Sequence, residues 1–500
     1  MKINGLMCLL SICFAAKTLA QKQDAIWLLS TSSINIGDKC GIDFNVMPAD
    51  TFIDYRRLGF IITNASICDS NGSILFYTNG IYVANREHDT LWNSGNFNPG
   101  YASDYYWYPG LGFSQGSIIL TRPDYPEKYL IFHVSGEEFE AYGENQLQPL
   151  HLGMSEVDIS LDGGLGGIPV NKKNITIVED TVTQGRLTAV KHANGRDWWV
   201  VQHKFYSDVF YTVLVLPDTL FVSSQAVGPV QTTNDILGMA KFSPDGSKYC
   251  YLNHYLTFDL FDFDRCTGQF SNPVTYSVPD TLSSLPLTQG CEFSPNGRFL
   301  YVNTYKGLFQ YDLGASEIQE SVIKIAEWDT TYLPTATWFF LPQRAPDGKI
   351  YISTYNGTKY MHVIDQPDSL GLACNFTQHS FDIPESSSSI PNFPNYQLGK
   401  LEGSPCDTLF SGVEHASNVN TGLSLVPNPA VDRVEINYNL KDKALLTITD
   451  MYGKAVLLQM LYPYFTSRII YTNHLPEGIY QVTLMQGEHI IATEKLVLQR

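Results

Sequence analysis

Phe242-Ser-Pro-Asp-Gly-Ser-Lys-Tyr, Phe293-Ser-Pro-Asn-Gly-Arg-Phe-Leu-Tyr and Arg344-Ala-Pro-Asp-Gly-Lys-Ile-Tyr are three copies of one unit. Their prolines, Pro244, Pro295 and Pro346, stand 51 and 51 residues apart. One further step back from Asp245-Gly246 lands on Asn194-Gly195, again followed by a strand-like run, Trp198-Trp-Val-Val. Looser copies with insertions begin at Asp69-Ser-Asn-Gly and Asp124-Tyr-Pro-Glu. Asp-Gly and Asn-Gly accommodate the positive-φ positions of a tight hairpin turn, and the β-branched and aromatic run that follows each one favours a strand.

A turn and a hydrophobic strand every ~50 residues leave room for a four-stranded sheet per repeat, the footprint of a propeller blade. Such a sheet buries its faces only against its neighbours, so the repeats must close into a ring. Six units are visible, and Asp24-Ala-Ile-Trp-Leu-Leu reads as a seventh strand set that completes the last blade near residues 391–398. The expected fold is all-β: a propeller of about seven blades, with six or eight also compatible, followed by a small Ig-like β-sandwich. A parallel β-helix would need shorter repeats.

Composition agrees. Of 500 residues, 13% are aromatic, with 30 Tyr and 27 Phe, and only 16% are charged; aromatic residues favour strands. The formal net charge of −18 argues against nucleic acid as a partner, since phosphate binding needs a basic surface. Lys2, an apolar stretch over residues 6–16 and Thr18-Leu-Ala20 read as a signal peptide over residues 1–20, with Gln21 starting the mature chain. No later run is long and apolar enough for a transmembrane helix. Beyond Cys8 and Cys13 in the leader stand Cys40, Cys68, Cys250, Cys266, Cys291, Cys374 and Cys406. This odd set leaves at least one thiol unpaired within the chain; Cys266 and Cys291, in adjacent repeats, form the expected pair. No C-x-x-C zinc pattern occurs, and neither a metal nor a cofactor is expected.

The domain boundaries follow: the propeller over residues 21–399, an exposed linker rich in Gly, Ser, Pro and Asn over 400–421, and a β module over 422–500. The last module alternates short strands with Gly and Pro turns, as a small sandwich does. It carries Pro427-Asn428-Pro429, Asp450-x-x-Gly453, Leu475-x-x-Gly478-Ile-Tyr480 and Lys495-Leu-Val. On these residues it resembles the type A C-terminal sorting domain of type IX secretion. The resemblance implies export by the Sec route, handling by the outer-membrane translocon of that system, and display or release outside the cell, usually with removal of the domain. Across residues 24–400, Asp69-Ser-Asn-Gly-Ser-Ile-Leu-Phe-Tyr, Gln115-Gly-Ser-Ile-Ile-Leu and the Pro-Asp-Gly units resemble secreted bacterial propeller-like proteins, some associated with gliding motility.

No catalytic constellation stands out: Gly-x-Ser-x-Gly and His-Glu-x-x-His are absent. Gly163-Gly-Leu-Gly-Gly reads as a propeller loop. His192, His203 and His254 are candidates for the channel wall, with structural roles the commoner alternative. Asp262 and Asp264 would share a strand face able to hold a cation or simply solvated. The aromatic run Tyr101, Tyr105, Tyr106, Trp107 and Tyr108 reads as a loop whose rings either stack on a sugar or protein ligand or pack over the propeller edge. Asp-(Ser/Thr)-(aliphatic or Thr) recurs at Thr90, Thr181, Thr219, Thr281, Thr330, Ser369 and Thr408, against about two matches expected from average usage. The pattern resembles the O-glycosylation sequon of bacteria that use this secretion route; the alternative is a recurrent turn. The functional expectation is a surface binding, adhesion or scaffold module for a glycan or protein. A secreted hydrolase or lyase, and a structural part of the surface or motility apparatus, are the other two readings.

Overall fold

The computed structural model describes residues 21–499 apart from 32–35, 107–108, 142–143, 232–237, 282–286, 408–422, 451–454, 474 and 487–488. Residues 1–20, read from the sequence as a signal peptide, lie outside the described residues. Seven antiparallel sheets form a ring. Blade 1 is Ile26–Leu29, Gly37–Asp43 and Asp50–Arg56; blade 2 is Ala65–Cys68, Ile74–Thr78 and Val83–Asn85. The other five have four strands each: blade 3, Ser117–Thr121, Lys128–Val134, Leu152–Asp158 and Ile175–Val178; blade 4, Thr188–Lys191, Trp198–His203, Val209–Val215 and Leu220–Ala226; blade 5, Ala240–Phe242, Lys248–Leu252, Thr257–Asp264 and Gln269–Ser277. Blade 6 is Thr288–Phe293, Phe299–Thr304, Gly307–Asp312 and Ile323–Glu327; blade 7 is Phe339–Arg344, Ile350–Thr354, Thr358–Ile364 and Phe376–Ser387. First strands of neighbouring blades lie against one another at the 1–2, 2–3, 4–5, 5–6 and 6–7 junctions, so these strands line the axis.

The repeated turn joins the first strand to the second. Gly72, Gly195, Gly246, Gly297 and Gly348 sit at φ between 74° and 88°, a region closed to most side chains. Each glycine N–H donates to the carbonyl three residues back, as from Gly246 to Ser243 (2.8 Å) and Gly297 to Ser294 (2.9 Å). The preceding Asp or Asn side chain accepts from the N–H two residues on: Asp245 from Ser247 (3.0 Å), Asn296 from Arg298 (2.9 Å), Asp347 from Lys349 (3.1 Å). These turns all lie on one face of the ring, the turn face; connections entering the first strands lie on the other, the entry face.

Aromatic residues weld the blades. Between blades 4 and 5, Phe210 meets Phe270 at 4.5 Å, Phe261 at 5.2 Å and Tyr249 at 5.8 Å. Pairs of this geometry contribute ~0.5–1.5 kcal/mol each beyond their buried area.

Closure is less regular. Blade 1 runs opposite to its neighbour's first strand: Asn64 Nδ2 donates to Leu28 O (2.7 Å) and Ser66 Oγ to Ile26 O (3.4 Å). The last strand of blade 7 reaches blade 1, where Cys40 Sγ meets Glu385 O at 3.2 Å and Ser387 Oγ donates to Ser30 O at 2.9 Å. The chain then turns into the axis, and residues 388–398 descend it outside any sheet, in the direction of the first strands of blades 2–4. Asn392 is the hub of this segment. Its N–H donates to Asn64 O (2.8 Å) ahead of blade 2, and its Nδ2 to Ser117 O and Leu187 O (3.0 Å each) at blades 3 and 4. Its Oδ1 accepts from Gln115 Nε2 (3.2 Å), a side chain that also bonds both backbone groups of Ala240 in blade 5. Tyr396 adds a bond to Ile119 O (2.7 Å). The strand near the N-terminus does not complete the last blade with residues 391–398, because that segment pairs in no sheet and Ile26–Leu29 opens a blade of its own; the two meet only side by side, with Trp27 6.2 Å from Phe393.

Residues 424–499 form the second unit, with sheets of Ser424–Val426, Arg433–Asn437, Ser467–Tyr471 and of Ala455–Leu461, Ala444–Thr449, Gly478–Gln486, His489–Leu498 closing over their own core. The stretch read as an exposed linker is tied down over its described part: Leu401 N donates to Ala193 O (2.8 Å) and Arg265 to Gly399 O (2.5 Å). The expected Cys266–Cys291 pair is wrong. Cys266 bonds Cys406, across 140 residues, while Cys291 is buried beside Cys250. Cys266 stands in a turn at the rim, whereas Cys291 lies in the first strand of blade 6 and faces inward, so adjacency in repeat number does not bring them together.

Asn392→Leu strips acceptors and donors from several blades at once, and a buried unsatisfied polar group costs ~1–3 kcal/mol. Denaturant unfolding followed by tryptophan fluorescence is expected to show a loss of about 2–4 kcal/mol, against under about 1 kcal/mol for Asn395→Ala at the rim. Equal losses would remove Asn392 from its role in closure.

Candidate functional site

The axis opens on the turn face as a cavity of about 370 Å³ lined by Asp24, Lys241, Glu292, Gln343, Arg344 and the descending segment 393–399. Lys241, Glu292 and Gln343 hold equivalent blade positions, 51 residues apart. Lys241 Nζ pairs with Glu292 Oε2 (3.1 Å) and donates to Gln343 Oε1 (2.6 Å). Glu292 accepts further from the backbone N–H groups of Phe293 (3.1 Å) and Arg344 (3.2 Å). A buried ion pair holds only when its remaining donors and acceptors are met, as they are here. Lys191, over the Trp198 ring at 3.9 Å, is pulled down to about 8 by burial, against the opposing charge of Asp197.

Asp24 differs. Its Oδ1 is buried with no hydrogen-bond partner among the described residues. Burial raises its carboxyl from 3.8 to about 6, opposed by a backbone hydrogen bond and by the Arg344 charge. The folded protein therefore holds this proton more tightly than the unfolded chain does. The stability it contributes is full below about pH 4 and is lost as pH rises through about 6. Asp24→Asn removes the titration. Relative to this variant, the wild type is expected to lose about 3 kcal/mol between pH 4 and pH 7.5; parallel stability curves would show Asp24 ionised throughout.

On the entry face, the expected aromatic loop contains a helical turn, Tyr101–Tyr105. Gly100 N donates to Ser103 Oγ (3.0 Å), and Ala102 is buried with its N–H on Gly136 O (2.8 Å). The turn presents Tyr105 and Tyr106, 69% and 41% exposed, with rings 4.5 and 6.2 Å from that of Tyr101. Trp107 and Tyr108 lie outside the described residues.

The histidines do not line the channel. His192 accepts from Asn194 N (3.1 Å) in its own turn and meets Cys266 O, and His203 packs on Phe210 and Tyr251. His254 packs on Tyr255. Burial lowers all three from the ordinary histidine value, to about 3 for His203 and about 4 for His254. Asp262 takes the Lys248 ammonium and Asn272, and Asp264 caps the turn at Cys266; no cluster of metal-ligating side chains occurs among the described residues. The Gly163 stretch is a loop between two strands of blade 3.

Of the hydroxyls in the Asp-Thr pattern, Thr90, Thr281 and Thr330 are exposed, Thr181 and Ser369 half-buried. Thr219 is buried and donates to Ser467 O (2.6 Å) of the C-terminal module; Thr408 lies outside the described residues. The Asp side chain caps its own turn at Thr181 N (2.8 Å) and Thr331 N (3.0 Å).

In the C-terminal module, the motif residues converge on the last strand. Asn428, between Pro427 and Pro429, donates to Lys495 O and accepts from Val497 N (2.8 Å). Gly478 and Tyr480 pair with Leu498 and Leu496 from the adjacent strand, and Tyr480 donates to Pro476 O (2.8 Å). Gly453 lies outside the described residues.

Residues 424–499 match the family of secretion system C-terminal sorting domains. No curated protein matches the chain. Similar solved structures include two proteins titled putative 6-phosphogluconolactonase. The one from Bacteroides uniformis ATCC 8492 has TM-score 0.42 and 12% identity over 73% of this chain and 98% of that one. The one from Bacteroides fragilis NCTC 9343 has TM-score 0.43 and 13% identity over 74% and 97%. The β-propeller domain of Myceliophteria thermophila Cps50 (Swd1) has TM-score 0.35 and 10% identity over 67% and 95%. The protein is a secreted, propeller-like protein with a type IX sorting domain at its C-terminus. It is handled by the type IX secretion system and reaches the cell surface or the medium. No helix among the described residues is long and apolar enough to cross a membrane.

The channel groups were legible in principle: the 51-residue register that aligns the turns also aligns Lys241, Glu292 and Gln343. Asp24 carried no such signal, because nothing in the sequence says that its strand approaches Arg344.

Proposed function

We propose that the mature protein is a binding module for a glycan or protein at the cell surface, engaging its ligand on the entry face around residues 101–106. The observation that carries the reading is the exposed pair Tyr105 and Tyr106, with the half-buried Tyr101 ring beside them, on a turn anchored by Ala102. Rings held by a buried anchor offer contact area at little entropic cost. A glycan array and polysaccharide pull-down with the full secreted chain, wild type against Tyr105→Ala/Tyr106→Ala, tests it. Capture lost in the variant is expected, at least tenfold in affinity; capture unaffected by the variant sinks this site, and depolymerised products would replace binding by catalysis.

The sorting role falls to Pro427, Asn428, Pro429, Gly453, Gly478, Tyr480 and Lys495, with Asn428 acting as the clamp on the last strand. Asn428→Ala is expected to leave the protein in the periplasm in fractionation of the native host, while Lys441→Ala is exported normally. Equal export of both would separate the clamp from sorting.

O-glycans are proposed at the accessible members of the Asp-Thr set. Mass mapping of protein from the native host is expected to find modification at Thr90, Thr281 and Thr330 and none at Thr219 while the C-terminal module is attached. An unmodified mass would leave the pattern as a turn motif.

A further inference from the structure

A second aromatic site lies on the entry face where blades 6 and 7 meet, built from three separate connections. Tyr305 follows the second strand of blade 6, Trp328 follows its fourth, Trp338 precedes the first strand of blade 7, and Tyr355 follows its second. Their rings form one continuous bay: Tyr305 lies 4.8 Å from Tyr355 and 5.5 Å from Trp338, and Trp338 lies 6.1 Å from Trp328. The Trp338 and Tyr355 ring planes are close to parallel, 28° apart with centroids at 6.3 Å. Tyr332 extends the bay from Trp328 at 5.6 Å. The outer rings are open, Tyr332 at 64% and Tyr355 at 42% exposure.

The bay also carries charge. Lys306 Nζ sits 5.7 Å from the Trp328 ring and 5.9 Å from that of Trp338, and no carboxylate or carbonyl pairs with it among the described residues. The carboxylate of this bay, Asp329, is engaged with His379 (2.7 Å) and Thr331. The Trp338 indole N–H is buried without an acceptor among the described residues. In a chain of net charge −18, an unpaired ammonium among flat rings is suited to a ligand that brings its own anion. Stacking rings select an apolar ring face with flanking hydroxyls, and the ammonium selects a carboxylate on it.

We propose that this bay binds an acidic saccharide, a glycan bearing uronate-type carboxylates, with Tyr332 and Tyr355 as stacking platforms and Lys306 as the carboxylate partner. The site stands on residues separate from Tyr101–Tyr106 and does not depend on that reading. The test is calorimetry on the full chain with a hexamer of galacturonate and with its carboxyl-reduced, neutral counterpart. The uronate is expected to bind at least tenfold more tightly than the neutral sugar. Tyr332→Ala and Tyr355→Ala should each lower uronate affinity tenfold or more, Lys306→Gln should abolish the preference for uronate, and Tyr105→Ala/Tyr106→Ala should change neither. Unaltered thermal melting of the variants keeps a loss attributable to the site. No binding of either sugar, equal binding of both, or uronate binding untouched by Lys306→Gln and Tyr355→Ala would each overturn the proposal.

Discussion

A ring of sheets has no interior until it is closed, and here the closure depends on a single amide. Asn392 stands at the axis, where its side chain and backbone reach the edges of blades 2, 3 and 4 and, through Gln115, blade 5. Each first strand has backbone groups facing the axis that no neighbouring strand can pair, and buried groups of this kind must find partners. A propeller whose blades each carried a complete set of four strands could leave its axis to water. In this chain blades 1 and 2 are three-stranded and blade 1 runs reversed, so the segment after blade 7 fills what they leave open.

The two ends of the axis differ accordingly. On the turn face the descending segment leaves a small polar cavity in which Lys241, Glu292 and Gln343 satisfy one another, while Asp24 Oδ1 has no partner among the described residues. On the entry face the connections between blades rise clear of the axis, and that is where the open aromatic side chains gather. Regular repeats built the turn face; the insertions and long connections built the entry face.

This division also explains what could be read from the sequence. The turns at Gly195, Gly246, Gly297 and Gly348 need positive φ at a fixed step, so local chemistry alone announced the blades. The sorting module was legible because Pro427-Asn428-Pro429 and Lys495-Leu-Val stand out as motifs in the sequence, although they meet across 67 residues. The cysteine pair was not, because Cys266 and Cys406 meet only after the chain has run through two more blades and out of the axis. The bay at blades 6 and 7 was hidden as well: Tyr305, Trp338 and Tyr355 each look like an ordinary turn or strand residue, and only ring geometry brings them together. The tyrosine run at residues 101–106 was visible as composition, but its helical turn depends on Gly136, from a connection in blade 3.

The disulfide between Cys266 and Cys406 has a consequence for orientation. Cys266 lies in the loop that ends the third strand of blade 5, on the turn face, and Cys406 is close to the last described residue before the sorting module. Removal of that module at any bond beyond Cys406 therefore leaves the new chain end moored covalently to the turn face. An attachment made through that end would hold the molecule by its turn face and leave the face with the open aromatic rings outward.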